Sequence, residues 1–121
     1  MKHLNYNQMT LRYLREQGVI CDRAERWNPY AGKFGIRQDM FGFIDLVALY
    51  PGNPGYIAAI QSTSGLCHSE HRRKILEDCI ENATAWCKAS GKIYLISWTK
   101  KLLHRGGKAR RWVPRVEEIK P

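Results

Sequence analysis

The sequence predicts a mixed α/β fold, a central mixed sheet flanked by helices in the order α-β-β-β-α-β-β, and three observations carry that prediction. The run FGFIDLVALY from Phe41 to Tyr50 is apolar on both alternating faces except at Asp45, the pattern of a strand covered on two sides. Between Ser69 and Lys88 the apolar residues Ile75, Leu76, Cys79, Ile80, Ala83, Trp86 and Cys87 recur at helical spacing, as an amphipathic helix requires. The chain has 121 residues, 44% of them hydrophobic and 26% charged, which suits one globular domain, 1–121, with a modest core.

Along the chain, residues 7 to 17 hold Met9, Leu11, Tyr13 and Leu14, end at Gly18 and have Asn7 as an N-terminal cap, so a helix is predicted. Val19 to Trp27 mixes β-formers with charges, like a strand with one face in water. Asn28 to Gln38, with Pro29, Gly32 and Gly35, reads as a long surface loop. The 41–50 strand is followed by Pro51-Gly52-Asn53-Pro54-Gly55 and the strand Tyr56 to Thr63. So short a turn makes the two strands antiparallel neighbours. After the long helix come strands at Lys92 to Trp98 and at Arg110 to Val116, joined by a basic loop.

The net charge is +9. Eight Lys/Arg against Glu117 and Glu118 lie between Lys100 and Pro121, and such a block attracts polyanions. A solvated tail is the bland alternative, but Trp112 and Val113 have the character of strand anchors. No stretch reaches the roughly 20 apolar residues of a spanning helix, and the N-terminus lacks the apolar core of a signal peptide. A cytoplasmic protein without membrane contact is therefore expected. Cys21, Cys67, Cys79 and Cys87 contain no CxxC pair and are expected to be free thiols packed as small hydrophobes.

Asp45 is the most informative residue, because a lone carboxylate in an apolar strand costs several kcal/mol unless paired, protonated or bound to metal. On the next strand, Gln61 and Thr63 share one face and Ser62 takes the other. If Gln61 and Thr63 face Asp45, a carboxylate, an amide oxygen and a hydroxyl converge, a donor set suited to Mg²⁺. A buried hydrogen-bond cluster, with Asp45 meeting backbone amides or Arg37, explains the same residues equally well. Cys67, His68 and His71 supply too few ligands for a structural zinc.

Gly42-Phe43-Ile44-Asp45-Leu46-Val47-Ala48-Leu49, followed by a short turn and a strand ending in Gln61-Ser62-Thr63, resembles the PD-(D/E)XK nuclease superfamily. The likeness is greatest to archaeal-type Holliday-junction resolvases and virus-type nuclease domains. It spans roughly Asn7 to Lys88 and implies a restriction-endonuclease-like fold, an Mg²⁺ or Mn²⁺ cofactor, a DNA substrate, branched DNA included, and a homodimer. Asp45 matches the first metal-binding acid of that family. Gln61 stands where its second acid is usual, Thr63 replaces its lysine, and Asn7 or Gln8 stands nearest the glutamate of the resolvases' N-terminal helix.

Asp39 is a candidate second metal carboxylate and Glu25 a third, with surface pairing to Arg37, Arg23 or Arg26 as the alternative for each. Arg72, on the apolar side of the helix's first turn, is the preferred cation for a scissile phosphate, with Arg37 second. Lys74 is read as solvent-facing, between Glu70 and Asp78. Lys100, Lys101, Arg105, Lys108, Arg110 and Arg111, with Arg37, are the nucleic-acid-binding candidates, and Trp98 and Trp112 the aromatic ones. The expectation is therefore an Mg²⁺-dependent endodeoxyribonuclease. The alternative is a nuclease-fold module that binds nucleic acid without cutting it.

Overall fold

Alternation along the strands divides the apolar residues between two faces of one sheet, and each face is covered by helix. The computed structural model describes residues 5–53 and 55–121. Helix α1 (Tyr6–Glu16) is capped by Asn5, not Asn7: the Asn5 side chain accepts the N–H groups of Asn7 and Gln8. Strands β1 (Ile20–Arg23), β4 (Leu46–Leu49), β5 (Ile57–Ser64), β6 (Gly91–Leu102) and β7 (Arg110–Glu118) form the sheet in the order β1-β4-β5-β6-β7. Within it β5 and β6 are parallel, and the helices between them make the crossover such a pair needs. The expected mixed α/β architecture is thus present, with β4 and β5 as the antiparallel pair, Leu46 opposite Ile60.

One face of the sheet, with Leu46, Ala48, Ala58 and Ile60, packs on Leu11 and Leu14 of α1. The other, with Ala59, Ile93 and Leu95, packs on Ile75 and Ala83. Trp98, a candidate for stacking on bases, belongs to the α1 side instead. It is buried, its indole N–H donates to Thr10 Oγ1 at 2.9 Å, and its ring meets Tyr13 edge-on. Ser62 Oγ donates to the same Thr10 oxygen at 2.9 Å. The four cysteines are free, with Cys21 buried among α1 residues.

Three local departures from the sequence reading decide where the side chains go. The stretch from Val19 to Trp27 breaks at Ala24 and Glu25, whose N–H groups both turn onto the Asp45 carbonyl, at 2.8 and 3.4 Å. The segment read as a loop is a separate ribbon, β2 (Arg26–Asn28) against β3 (Ile36–Gln38). The 41–50 run is strand only from Leu46, because Phe41 and Gly42 have φ of 55° and 85°. Two consecutive positive φ values make a tight turn of the primed kind, which no strand accommodates. Asn82 Nδ2 secures the turn by donating to the Phe41 carbonyl at 3.1 Å.

The long helix is also interrupted. It runs as α2 (His68–Arg73), a π-helical turn at Lys74–Asp78, and α3 (Ile80–Lys88). The Cys79 N–H donates to the Lys74 carbonyl at 2.9 Å, an i to i+5 bond. An extra residue in a turn rotates the two helical halves by about 100° relative to an unbroken helix. Lys74 thereby moves from opposite the apolar stripe to its flank, and Arg72 moves off it.

Candidate functional site

Asp45 immediately precedes β4, and its N–H donates to the Ile60 carbonyl of β5 at 3.0 Å, next to Gln61. Since Ser62 points to α1, Gln61 and Thr63 share the other face of the sheet. Asp45 Oδ2 accepts the Ser62 N–H at 3.0 Å, so the backbone partner foreseen for it exists. The chain then brings two further acids to it. Glu25 arrives because the peptide after β1 is bound to the Asp45 carbonyl. Asp39 arrives because it follows β3 and opens the Phe41–Gly42 turn, its backbone carbonyl accepting the Gly42 N–H at 3.1 Å. One carboxylate oxygen from each of Glu25, Asp39 and Asp45 lies within 4.8 Å of the others.

Such crowding is electrostatically unfavourable without a cation. Burial, a hydrogen bond shared with Asp39, and the charges of Asp39 and Glu25 push the Asp45 carboxyl up to about 8, against the opposing Ser62 N–H. Glu25 Oε1 is also held by Asn7 Nδ2 at 3.3 Å, Arg23 at 3.4 Å and Arg37 at 3.6 Å, so the arginine pairing and the carboxylate cluster both occur. Lys74 Nζ lies 3.6 Å from Asp39 Oδ2. Its reading as solvent-facing is corrected, and the π-turn is the reason.

Two buried amide oxygens stand on residues adjoining the cluster. Gln61 Oε1 and Asn7 Oδ1 are buried with no hydrogen-bond partner among the described residues, and a buried carbonyl left unpaired costs roughly 1–3 kcal/mol. Gln61 follows Ile60, whose carbonyl accepts the Asp45 N–H, and the Asn7 Nδ2 donates to Glu25 Oε1. Three carboxylates and two uncharged oxygens are hard ligands of the kind Mg²⁺ and Mn²⁺ take. The donor chemistry therefore fits such an ion. A cleft of about 530 Å³, lined by Ala24, Arg26, Gln38, Asp39 and Phe41 among others, opens beside Asp39.

Other candidates stand elsewhere. Thr63 is buried two residues beyond Gln61, opposite Ser97, and no hydrogen bond among the described residues ties it to the carboxylates. Arg72 is not brought to the cluster: its Nε donates to Glu117 Oε2 at 2.8 Å, the consequence of its displacement from the stripe. His68, buried, bonds Ser97 Oγ and Glu117 Oε1, each at 2.7 Å. Burial opposes ionisation of Glu117, but the His68 and Arg72 hydrogen bonds hold its carboxyl below the ordinary range. Arg72 and His68 thus tie α2 to β7.

Lys100, Lys101, Arg105, Lys108, Arg110 and Arg111 are all exposed on the β6–β7 hairpin. It projects past the end of the sheet that carries Gln61, since Gln61 pairs with Leu95. At about 3.3 Å per residue, Lys100 is about 17 Å from that point. Trp112 is half-buried, with Lys100 Nζ 5.5 Å from its ring centre. The sequence offered Asp39 and Glu25 as second and third carboxylates beside Asp45, with arginine pairing as the alternative for each, and the fold brings the three together. Among the described residues, no helix is long and apolar enough to cross a membrane. No protein-family model, curated protein or solved structure matches this chain.

Proposed function

We propose that this chain is a divalent-metal-dependent endonuclease-like protein that hydrolyses phosphodiesters in DNA, branched DNA included, on a PD-(D/E)XK-type scaffold. The observation that carries the reading is the convergence of Glu25, Asp39 and Asp45, with the unpartnered amide of Gln61 on the adjoining strand. When bound, an Mg²⁺ or Mn²⁺ ion supplies Lewis acidity toward the phosphate and lowers the pKa of water. Asp45, Asp39 and Glu25 would hold the ion, Gln61 would add a neutral oxygen without raising the negative charge, and Asn7 and Arg37 fix Glu25 in place. Lys74 takes the place left vacant by Thr63, its ammonium held at the cluster by Asp39 and able to turn to a phosphate oxygen. Arg37, already beside Glu25 and exposed, is the second cation for the phosphate.

The exposed cations of the β6–β7 hairpin support backbone contact along the duplex, about 17 Å or more from the carboxylates. Cutting both strands of one substrate needs two such sites, which a homodimer provides. A second reading, binding without cleavage, is favoured by the uncharged side chains at Gln61 and Thr63. Incubating the protein with supercoiled plasmid and with a four-way junction in Mg²⁺ or Mn²⁺ separates the two. Nicking that needs the metal and disappears in Asp45→Ala, with DNA binding retained, supports the enzyme. Salt-dependent binding with no metal-dependent cleavage establishes the second reading instead.

A further inference from the structure

The ribbon formed by β2 and β3 grows out of the carboxylate cluster itself: Glu25 immediately precedes β2 and Asp39 immediately follows β3. Its aromatic side chains belong to neither core cluster. Tyr30 is 95% exposed, Phe34 83% and Trp27 59%. Isolated exposed apolar residues need no explanation, but three aromatics on one small ribbon do. A two-stranded ribbon gains little stability from side chains left in water.

Trp27 is also seated. A Cβ at Gly35, whose φ is +89°, would collide with the indole, so the ring occupies space that only glycine leaves open and keeps its outer side to solvent. Tyr30 is set by an Asx turn, its N–H donating to Asn28 Oδ1 at 3.0 Å. Lys33 Nζ lies 5.6 Å from the Phe34 ring centre. From Arg26 to Gln38 the ribbon carries Arg26, Lys33 and Arg37 and no acid. Exposed rings interleaved with cations, with no carboxylate to repel a polyanion, have the chemistry of a single-strand stacking surface.

We infer that the β2–β3 ribbon binds unpaired nucleotides of a DNA strand, stacking their bases on Trp27, Tyr30 and Phe34 while Arg26, Lys33 and Arg37 meet the phosphates. The bases of a duplex have their faces covered by neighbours, so rings of this kind select single-stranded segments. Trp27 is two residues from Glu25, about 7 Å along β2, and Phe34 is five from Asp39, at most about 17 Å because it lies in the turn before β3. At about 3.4 Å per stacked nucleotide, those rings reach bases about two to five nucleotides from a phosphate at the carboxylates. The inference rests on the nuclease reading only for placing DNA at the cluster. It makes the preferred substrate a duplex next to unpaired nucleotides.

Fluorescence anisotropy in EDTA, where no cutting occurs, tests it with a labelled single-stranded oligonucleotide, a fork of the same sequence and a blunt duplex. The wild-type chain is expected to bind the single strand and the fork at least tenfold more tightly than the duplex. Tyr30→Ala/Phe34→Ala, exposed positions whose folding is checked by circular dichroism, should lose that margin while duplex affinity stays within twofold. Tyr30→Phe/Phe34→Tyr, which keeps both rings, should retain it. Equal affinity for single strand and duplex, equal loss on both in the alanine variant, or tighter binding of the matching RNA overturns the inference. A parallel Mg²⁺ cleavage assay tells the two readings apart. Cleavage whose fork preference survives the alanine variant overturns this inference and leaves the nuclease reading standing. Ring-dependent single-strand binding without cleavage does the reverse.

Discussion

Replacing Asp45 by Asn should stabilise the metal-free chain at neutral pH. The Asp45 carboxyl is pushed from 3.8 to about 8 by burial and by Asp39 and Glu25. Between those values the folded chain keeps a proton that the unfolded chain releases. The Asp45 contribution to stability is therefore whole below about pH 4 and falls as pH rises toward 8, by up to about 1.4 kcal/mol per pH unit. At pH 7 the full cost is about 4 kcal/mol. Asn keeps an acceptor for the Ser62 N–H and can donate to Asp39, so about 2–4 kcal/mol of it should be recovered, roughly 10 °C in Tm. Urea denaturation in EDTA from pH 4 to pH 8.5 measures this. The wild-type and Asp45→Asn curves should meet near pH 4 and diverge upward. A destabilised Asp45→Asn, or two parallel pH profiles, would show that the carboxylates are not mutually repelling as described.

Lys74→Met should reduce metal-dependent cleavage about 100-fold or more. Arg72→Ala, which breaks only the exposed pair to Glu117, should leave cleavage within threefold and lower stability by no more than about 1 kcal/mol; side-by-side plasmid nicking and urea melts check both. Gln61→Glu puts a fourth carboxylate beside three, so its metal-free Tm at pH 8 should fall below that of the wild type and recover in millimolar Mg²⁺ more than the wild type does, read by thermal melts with and without the ion. Thr10→Val removes the shared partner of the Trp98 indole and the Ser62 hydroxyl and should cost about 1–3 kcal/mol in urea denaturation, with cleavage per folded molecule unchanged.

Periodicity made the long strands, the helix between β5 and β6 and the common face of Gln61 and Thr63 legible, because each depends on neighbours two to four residues apart, and the short turn after Tyr50 made the β4–β5 pairing legible. What escaped it depends on backbone irregularity or distance in the chain. Lys74 and Arg72 exchanged roles because a single π-turn at Lys74–Asp78 shifts the helix phase, and regular 3.6-residue spacing cannot announce it. Phe41 lies in a strand-like apolar run, yet Gly42 and the Asn82 bond hold it at positive φ. Glu25 and Asp39 are 14 residues apart and meet because the ribbon between them folds back on itself. Strands of three residues are too short for alternation to register. A signal for the ribbon was available in its composition, aromatics and cations with no acid from Arg26 to Gln38.

Whether the carboxylates form a cation site is decided by calorimetric titration of Mn²⁺ into the EDTA-stripped chain at pH 6 and pH 8, beside Asp45→Asn. One ion per chain should bind at pH 8, at least tenfold more weakly at pH 6 where the Asp45 proton competes, and not measurably in Asp45→Asn. Failure of the wild type to bind Mn²⁺ at millimolar concentration, or equal binding by Asp45→Asn, would contradict the assignment of Glu25, Asp39 and Asp45 as a metal centre.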